Sequence, residues 1–566
     1  MQIRLTKPRK TIEIHLPDGK VISGPRGTPI SRLLEAYPKQ TDNPIVGAIV
    51  NFELRELSFQ VKIDSYVQPV TMADNDGSKI YRRSLTFLLS AAFYDLFPGS
   101  TLTIDHSVAS GGYYCQTTKP TFLSGLELEQ LETKMRELVA LDVPFIREEV
   151  PLDEAIRYFE SIGAQDKVDL LQYRQKKYLT LYRLRNYKDY HHGYMVPSTG
   201  YIQWFSLMPT NGGFTVRFPR RHSPTQITPL PEYPKLLSTF RQYGEWLQKL
   251  GISSVGSLNK AIETGRIHEV ILVSEAFHDL HISTIASSIA EHSDQVKFVL
   301  IAGPSSSGKT TFSKRLSIAL LAQGINPFPL EMDNYFLDRD LTPKDSDGNR
   351  DYESLAALAT DRLANDLQLL SSGVEVQLPH YNFITGRSES GQHFHLKSGE
   401  IILLEGIHGL NPGLLPGNLK GRIYRIYLSA LTQLNLDHQN RLSTTDTRLI
   451  RRIARDARER GLDSLMTLKR WESVHQGEKK NIFPYQENAD VIFNSALVYE
   501  LAALAPIVRP LLLQVPYGAI EYIEAKRLLA LLDWFLPVEP DLIPDNSILR
   551  EFIGNSILQN LVLSKF

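Results

Sequence analysis

Gly303-Pro304-Ser305-Ser306-Ser307-Gly308-Lys309-Thr310 fits the spacing G-x-x-x-x-G-K-[ST]. Its flanks supply the context that this spacing needs. Val296 to Ala302 reads as a buried parallel strand, and Thr311 to Leu321 carries helical periodicity. A strand, a glycine-rich turn and a helix N-terminus aim several backbone N–H groups at one point, and the helix dipole adds positive potential there. Gly303 and Gly308 permit the tight path. Pro304, Ser305, Ser306, Ser307 and Thr311 complete a cradle for the phosphates of a nucleoside triphosphate. Lys309 should reach the β- and γ-phosphates, and the Thr310 hydroxyl should bind Mg²⁺.

The chain around this loop has 566 residues, which is too many for one core, so two to four domains are expected. Its 62 Lys and Arg nearly balance its 63 Asp and Glu, so no global basic character points to nucleic acid. A single cysteine, Cys115, excludes an intramolecular disulfide framework and a cysteine-rich zinc module. No apolar run follows the charged Met1 to Lys10 segment, and none approaches a membrane span. A cytoplasmic location is the expectation.

Upstream of the loop, Thr11 to Leu16 alternates as a half-buried strand. Pro17-Asp18-Gly19-Lys20 is a hairpin turn, and Val21-Ile22-Ser23 begins the return strand. Pro29 to Tyr37 reads as a helix and Ile45 to Asn51 as another strand. This order predicts a β-grasp module over residues 1–74. It resembles the TGS domain of threonyl-tRNA synthetases and some GTPases, which implies contact with RNA or protein. Residues 75–218 follow, with an amphipathic helix at Tyr81 to Phe93, a turn at Gly111-Gly112 and a loop at Tyr187 to Pro197. This α+β region is similar to the editing-type domain of threonyl- and alanyl-tRNA synthetases. That family carries H-x-x-x-H on the helix and C-x-x-x-H in the loop. Here those positions are Arg83, Phe87, His191 and Met195. Arg83 and Phe87 cannot ligate zinc, so the editing chemistry reads as lost. Pro219, Pro224, Pro229, Pro231 and Pro234 then mark a boundary. Residues 219–290 read as a connector, with a Trp246-bearing helix and a helix pair over Ile267 to His292.

The catalytic half is read over residues 291–528 as an α/β parallel-sheet domain, with a C-terminal extension at 529–566. Asp333, in Met332-Asp333-Asn334-Tyr335-Phe336, falls just past the next expected strand, where open α/β sheets place their ligands. Ile401 to Glu405 is an apolar strand ending in an acid, a position that would face Mg²⁺. Asp446-Thr447-Arg448 through Arg460-Gly461 is a strongly charged helix with Arg448, Arg452 and Arg455 on one face. These segments resemble the uridine kinase and phosphoribulokinase branch of P-loop kinases. The resemblance implies Asp333 as general base for the acceptor hydroxyl and Glu353, or alternatively Asp351, as a sugar ligand. It also implies Tyr381 as a platform for the base, and Arg452, Arg455 and Arg460 as lid arginines that neutralise the transferring phosphoryl group. Two positions depart from the family. Gly386 stands where uridine kinases carry a base-reading histidine, and Leu462 where an arginine often follows the lid glycine.

Together these readings predict an ATP- and Mg²⁺-dependent kinase of a nucleoside 5′-hydroxyl, with RNA contact through the N-terminal half. One alternative is a kinase of a sugar or sugar phosphate, as in phosphoribulokinase. The other is a TGS-bearing, RNA-binding NTPase or regulator. Against a GTPase, the Asn-Lys at Asn259-Lys260-Ala261-Ile262 lacks the aspartate of N-K-x-D and precedes the phosphate loop.

Overall fold

The computed structural model describes every residue except 1–8, 39–41, 109–110, 119–122, 230–232, 345–347, 349, 416–421, 560 and 562–566. Met1 to Pro8 and the boundary residue Pro231 thus lie outside the described residues.

The N-terminal alternating stretch forms a hairpin, Thr11–His15 against Val21–Pro25, with Ile14 opposite Ile22. Thr11–His15 also pairs in parallel with Ser65–Thr71, which continues through Ile45–Val50 to Glu53–Arg55 in a five-stranded mixed sheet. The expected helix is a short turn, Ile30–Leu34, that buries Ile30, Leu33 and Leu34 against this sheet.

Helix α1, Asn75–Leu96, organises the next region. The amphipathic helix expected over Tyr81 to Phe93 is buried on more than one face, because every residue from Ser84 to Phe93 is buried. The helix is wrapped by a four-stranded antiparallel sheet, Leu102–Val108 to Gly213–Arg217, and by a three-stranded one that ends at Tyr187–Tyr190. Ser84 and Ser90 keep the buried run from looking wholly apolar; the Ser84 hydroxyl is satisfied by the Ile80 carbonyl at 2.8 Å.

Residues after the proline-rich stretch form three helices, Pro234–Leu250, Val255–Glu263 and Ile267–Ala290. The helix pair expected over Ile267 to His292 is one continuous helix. The break lies earlier, at Gly265, whose φ of 76° leaves helical space. These helices are no spacer. Tyr243, Leu247, Val255 and Val270 sit in one core with Phe159 and Tyr190 from the preceding region, Leu449 and Ala502 from the following one, and Trp534 and Phe552 near the C-terminus.

The catalytic half centres on a five-stranded, all-parallel sheet. Its strands are β1 (Val296–Ala302), β2 (Asn326–Glu331), β3 (Glu400–Glu405), β4 (Arg422–Ser429) and β5 (Val491–Asn494), in the order β2-β3-β1-β4-β5. Near-continuous burial along β1 and β3 matches strands covered on both faces. Helix α2 (Lys309–Leu321) follows β1, and helix α3 (Thr444–Glu459) is the charged segment. Helix α4 (Tyr522–Leu532) reaches back to the N-terminal region. Among the described residues no helix is long and apolar enough to cross a membrane.

Candidate active site

The loop after β1 adopts the path its glycines permit. Gly308 has a φ of 91°, and a Cβ on Gly303 would lie 2.1 Å from the Leu428 carbonyl oxygen on β4. The loop therefore sits against the strand end, with α2 starting at Lys309. The Lys309 ammonium donates to the Pro304 carbonyl at 3.3 Å, folding back over the loop it serves.

Three acids from adjacent strand ends gather beside it. Register puts Glu405 beside Ile301 on one side and Glu331 on the other. Asp333 follows in the short turn Met332–Tyr335. The Thr310 hydroxyl donates to Glu405 Oε1 at 3.1 Å. Burial pushes the Glu405 carboxyl up to about 8; Lys309 opposes this, while Glu551, Glu331 and Asp333 reinforce it. A hydroxyl and a carboxylate form a hard-oxygen donor set, and a divalent cation would relieve the crowding of acids, so these residues fit Mg²⁺. Asp333, whose side chain is open to solvent, is drawn above the ordinary carboxylate range by the protein packed around it, against the charges of Lys309, Arg460 and Arg455. A cleft of about 630 Å³ opens here, with Thr310, Glu331, Asn334, His380 and Glu405 on its walls.

Helix α3 holds the loop more closely than a lid over bound nucleotide would. Arg448 donates to the Ser305 carbonyl at 3.1 Å and pairs with Glu478. Glu478 accepts from the Ser305 N–H at 3.0 Å. Burial opposes ionisation of Glu478, but Arg448 and His475 bring it down to about 2. Arg452 donates to the Ser305 hydroxyl at 2.8 Å. Arg451, which the sequence reading did not single out, is fully buried. It donates to Glu500 at 2.5 Å and to the Ser495 carbonyl at 2.8 Å. Arg455 and Arg460 lie further along, both near Asp456 at 3.7 and 3.2 Å, with their charge felt at Asp333.

The acceptor side departs from expectation at Tyr381. It is not an open stacking platform. Only 2% of it is exposed, and its ring meets Phe336 and Phe383 edge-on at 5.6 and 5.1 Å. Glu353 does reach the site. It sits near Glu478, Arg452, Lys309 and Asp333, and burial with the Glu478 charge raises it to about 7. Gly386 has a φ of 72°, and a Cβ there would lie 2.5 Å from the Arg339 guanidinium. Arg339 thus occupies the space that a side chain at 386 would need, and it donates to the Phe383 carbonyl at 2.7 Å.

A final element was not legible in the sequence. The short helix Arg550–Ile553 brings Glu551 to the start of α2, where its carboxylate accepts from the Thr311 N–H at 3.2 Å. Lys314 ties the following segment down through the Leu558 carbonyl at 2.7 Å.

In the synthetase-like region, Phe87 and His191 meet edge-on at 5.4 Å, and Met195 is buried beside them. Phe87 and Met195 are core packing, while His191 lies at the edge of that core. Arg83 instead donates to the Tyr194 carbonyl.

A parallel sheet, a glycine loop leading into a helix, and acids at neighbouring strand ends define a P-loop nucleotide-binding fold. Residues 298–502 match the Phosphoribulokinase / Uridine kinase family, so this segment is a kinase-like domain of that family. The N-terminal half is similar to threonine–tRNA ligases. That of Laribacter hongkongensis is 35% identical over 202 residues, covering 36% of this chain and 32% of the ligase. That of Acidovorax sp. (strain JS42) is 31% identical over 206 residues, with the same coverage of 36% and 32%. The chain thus spans about a third of the length of these relatives. Among solved structures, "Structure of a Possible Uridine Kinase from Bacillus stearothermophilus" covers 38% of this chain and 97% of its own, at 17% identity and a TM-score of 0.27. D-glycerate 3-kinase from Cryptococcus neoformans covers 49% and 89%, at 12% identity and a TM-score of 0.21. Scores this low carry no weight for function.

Proposed function

We propose that this protein transfers the γ-phosphoryl group of ATP to the 5′-hydroxyl of a nucleoside. The observation that carries this reading is that Thr310 and Glu405 meet on the wall of one cleft, with Lys309 and Asp333 close enough for their charges to act on the Glu405 carboxyl. The loop from Gly303 to Thr311 holds the phosphates of ATP. Lys309 leaves the Pro304 carbonyl for the β- and γ-phosphates. Thr310 and Glu405 hold Mg²⁺, which supplies charge neutralisation on the transferring group. Asp333 orients the acceptor hydroxyl and takes its proton as the oxygen attacks phosphorus. The bond to the β-phosphate breaks, and ADP leaves. Asp333 is drawn above the ordinary carboxylate range, which makes it a readier proton acceptor than a free carboxylate. Arg452, Arg455 and Arg460 add positive charge around the phosphoryl group. Glu353 binds the sugar hydroxyls.

One observation favours the second reading, a sugar-phosphate kinase. Arg339 fills the space beside Gly386, and a guanidinium there suits an acceptor that already carries a phosphate. We assign the catalytic unit to residues 291–528. Residues 1–74 and 75–218 we take as TGS-like and editing-like units that contact RNA, in a cytoplasmic protein.

Steady-state assays with a panel of ribo- and deoxyribonucleosides and ribulose 5-phosphate test the choice. Turnover of a nucleoside is expected; turnover of the sugar phosphate alone would overturn it. In the same assay Asp333→Asn should keep ATP binding and lose ~10²–10⁴-fold in turnover, the usual scale of a general base. Undiminished turnover would remove Asp333 from the mechanism.

A further inference from the structure

A second cavity, of about 310 Å³, lies in the other half of the molecule, where three regions of the chain meet. Phe52 and Leu54 of the N-terminal sheet form one wall, α1 and the loop after Tyr190 a second, and α4 with Trp534 the third. Its volume is at the lower end of the range for small-molecule sites.

Basic side chains dominate its lining, and they fall into two groups. Lys79, Lys176, Lys526 and Arg527 are engaged with carboxylates, Glu524 at 2.9 Å, Asp533 at 3.0 Å, Glu53 at 2.9 Å and Asp446 at 2.7 Å. Arg83, Arg147 and Arg174 are different. Among the described residues none of the three has a carboxylate oxygen within 4.0 Å. They lean on neutral groups instead: Arg83 on the Tyr194 carbonyl, Arg147 on the Thr180 hydroxyl at 3.3 Å, Arg174 on the Tyr178 carbonyl at 3.3 Å. Burial draws Arg83 down to about 10, which is the cost of holding a guanidinium away from water without a counter-charge. Gly193 is shaped around it; a Cβ there would lie 2.7 Å from the guanidinium.

His191 adds an independent sign. It is only 8% exposed, lines the same cavity, and its Nε2 has no hydrogen-bond partner among the described residues. A buried ring nitrogen without a partner is uncommon and calls for one. As a neutral imidazole it can donate to an anionic oxygen, while the guanidinium groups supply the charge. Aromatic walls at Phe52 and Tyr194 offer apolar and π surface beside the cationic end, and Arg174 lies over the buried Trp534 ring at 4.7 Å.

We propose that this cavity is a binding site for a phosphate monoester joined to a ring, specifically a mononucleotide. Its phosphate is received by Arg83, Arg174 and His191 Nε2, and its ring lies against the aromatic walls. The site is separate from the phosphate loop and independent of the kinase reading.

Calorimetric titration of the full chain with a nucleoside 5′-monophosphate tests it. The Lys309→Ala background removes the main cationic group of the phosphate loop. Saturable binding is expected there, with inorganic phosphate weaker. Arg83→Gln and Arg174→Gln should each weaken binding by about tenfold or more at unchanged melting temperature. If Arg83→Gln fails to fold, Arg174→Gln, which lies at the cavity mouth, keeps the test alive. Absence of saturable binding, or affinity indifferent to both arginines, would overturn the proposal. So would binding of an RNA oligonucleotide by a protein that ignores the free mononucleotide.

Discussion

Glu551 places a carboxylate on the Thr311 N–H, at the positive end of α2. A nucleotide phosphate has the same use for that donor, and two anions cannot share it. Glu551→Gln should therefore tighten nucleotide binding, on the order of tenfold. Titration with a fluorescent ATP analogue reads this directly, and an unchanged or weaker affinity would mean that Glu551 moves aside at no cost. Nothing in the local sequence marks Glu551, because its partner lies 240 residues away. Lys309, Thr310, Asp333 and Glu405 were legible because each is fixed by a strand end or a loop spacing within its own segment. Tyr381 was misread for a different reason. An aromatic residue at the end of a strand looks the same in sequence whether its face is offered to a ligand or filled by Phe336 and Phe383.

At the scale of elements, α3 is the part whose role changed most. Its charges read as a lid helix, yet Arg448 and Arg451 are buried and its apolar residues Leu449, Ile450 and Ile453 join the central core. Charge count in a window cannot distinguish arginines facing water from arginines facing Glu478 and Glu500, since both partners belong to later helices. The pair is expensive to break. Arg451→Met should destabilise the fold by ~3–5 kcal/mol, because Glu500 is left charged and buried. The double variant Arg451→Met with Glu500→Leu should cost much less. Urea unfolding midpoints compare the two, and equal losses would show that the backbone contacts of Arg451 matter more than its charge. Helix α1 was legible as a helix but not as a buried one. Sequence periodicity records one apolar face, and the two sheets that cover the others come from distant strands.

At the scale of the whole molecule, acid works against three buried histidines. Burial holds His191 down to about 3, with the Lys167 charge adding to it, and His192 and His408 down to about 4. Unfolded, each takes a proton near pH 6.5. Between those values the unfolded chain binds more protons, so stability is full above about pH 6.5 and falls as pH drops toward 4. At pH 5 each contributes a loss of about 2 kcal/mol. His438, raised by its pairing with Asp166, and Glu353 and Glu405, held up at about 7 and about 8, bind protons in the folded state and oppose this. Between pH 7.5 and 5 the melting temperature of a His408→Asn variant should therefore hold up better than that of the unaltered protein; parallel profiles would show that this ring is open to water.

The central core has one more consequence, for how the chain is made. Phe159, Leu247, Leu449 and Phe552 belong to a single apolar cluster, and Lys79 on α1 is paired with Glu524 on α4. Synthesis delivers these groups in order, and the first must wait for the last. The N-terminal sheet of Thr11 to Thr71 has its own core and can close early. Phe159, Leu247 and Leu449 leave apolar surface uncovered until the segment around Phe552 emerges, so this shared core closes only late in elongation.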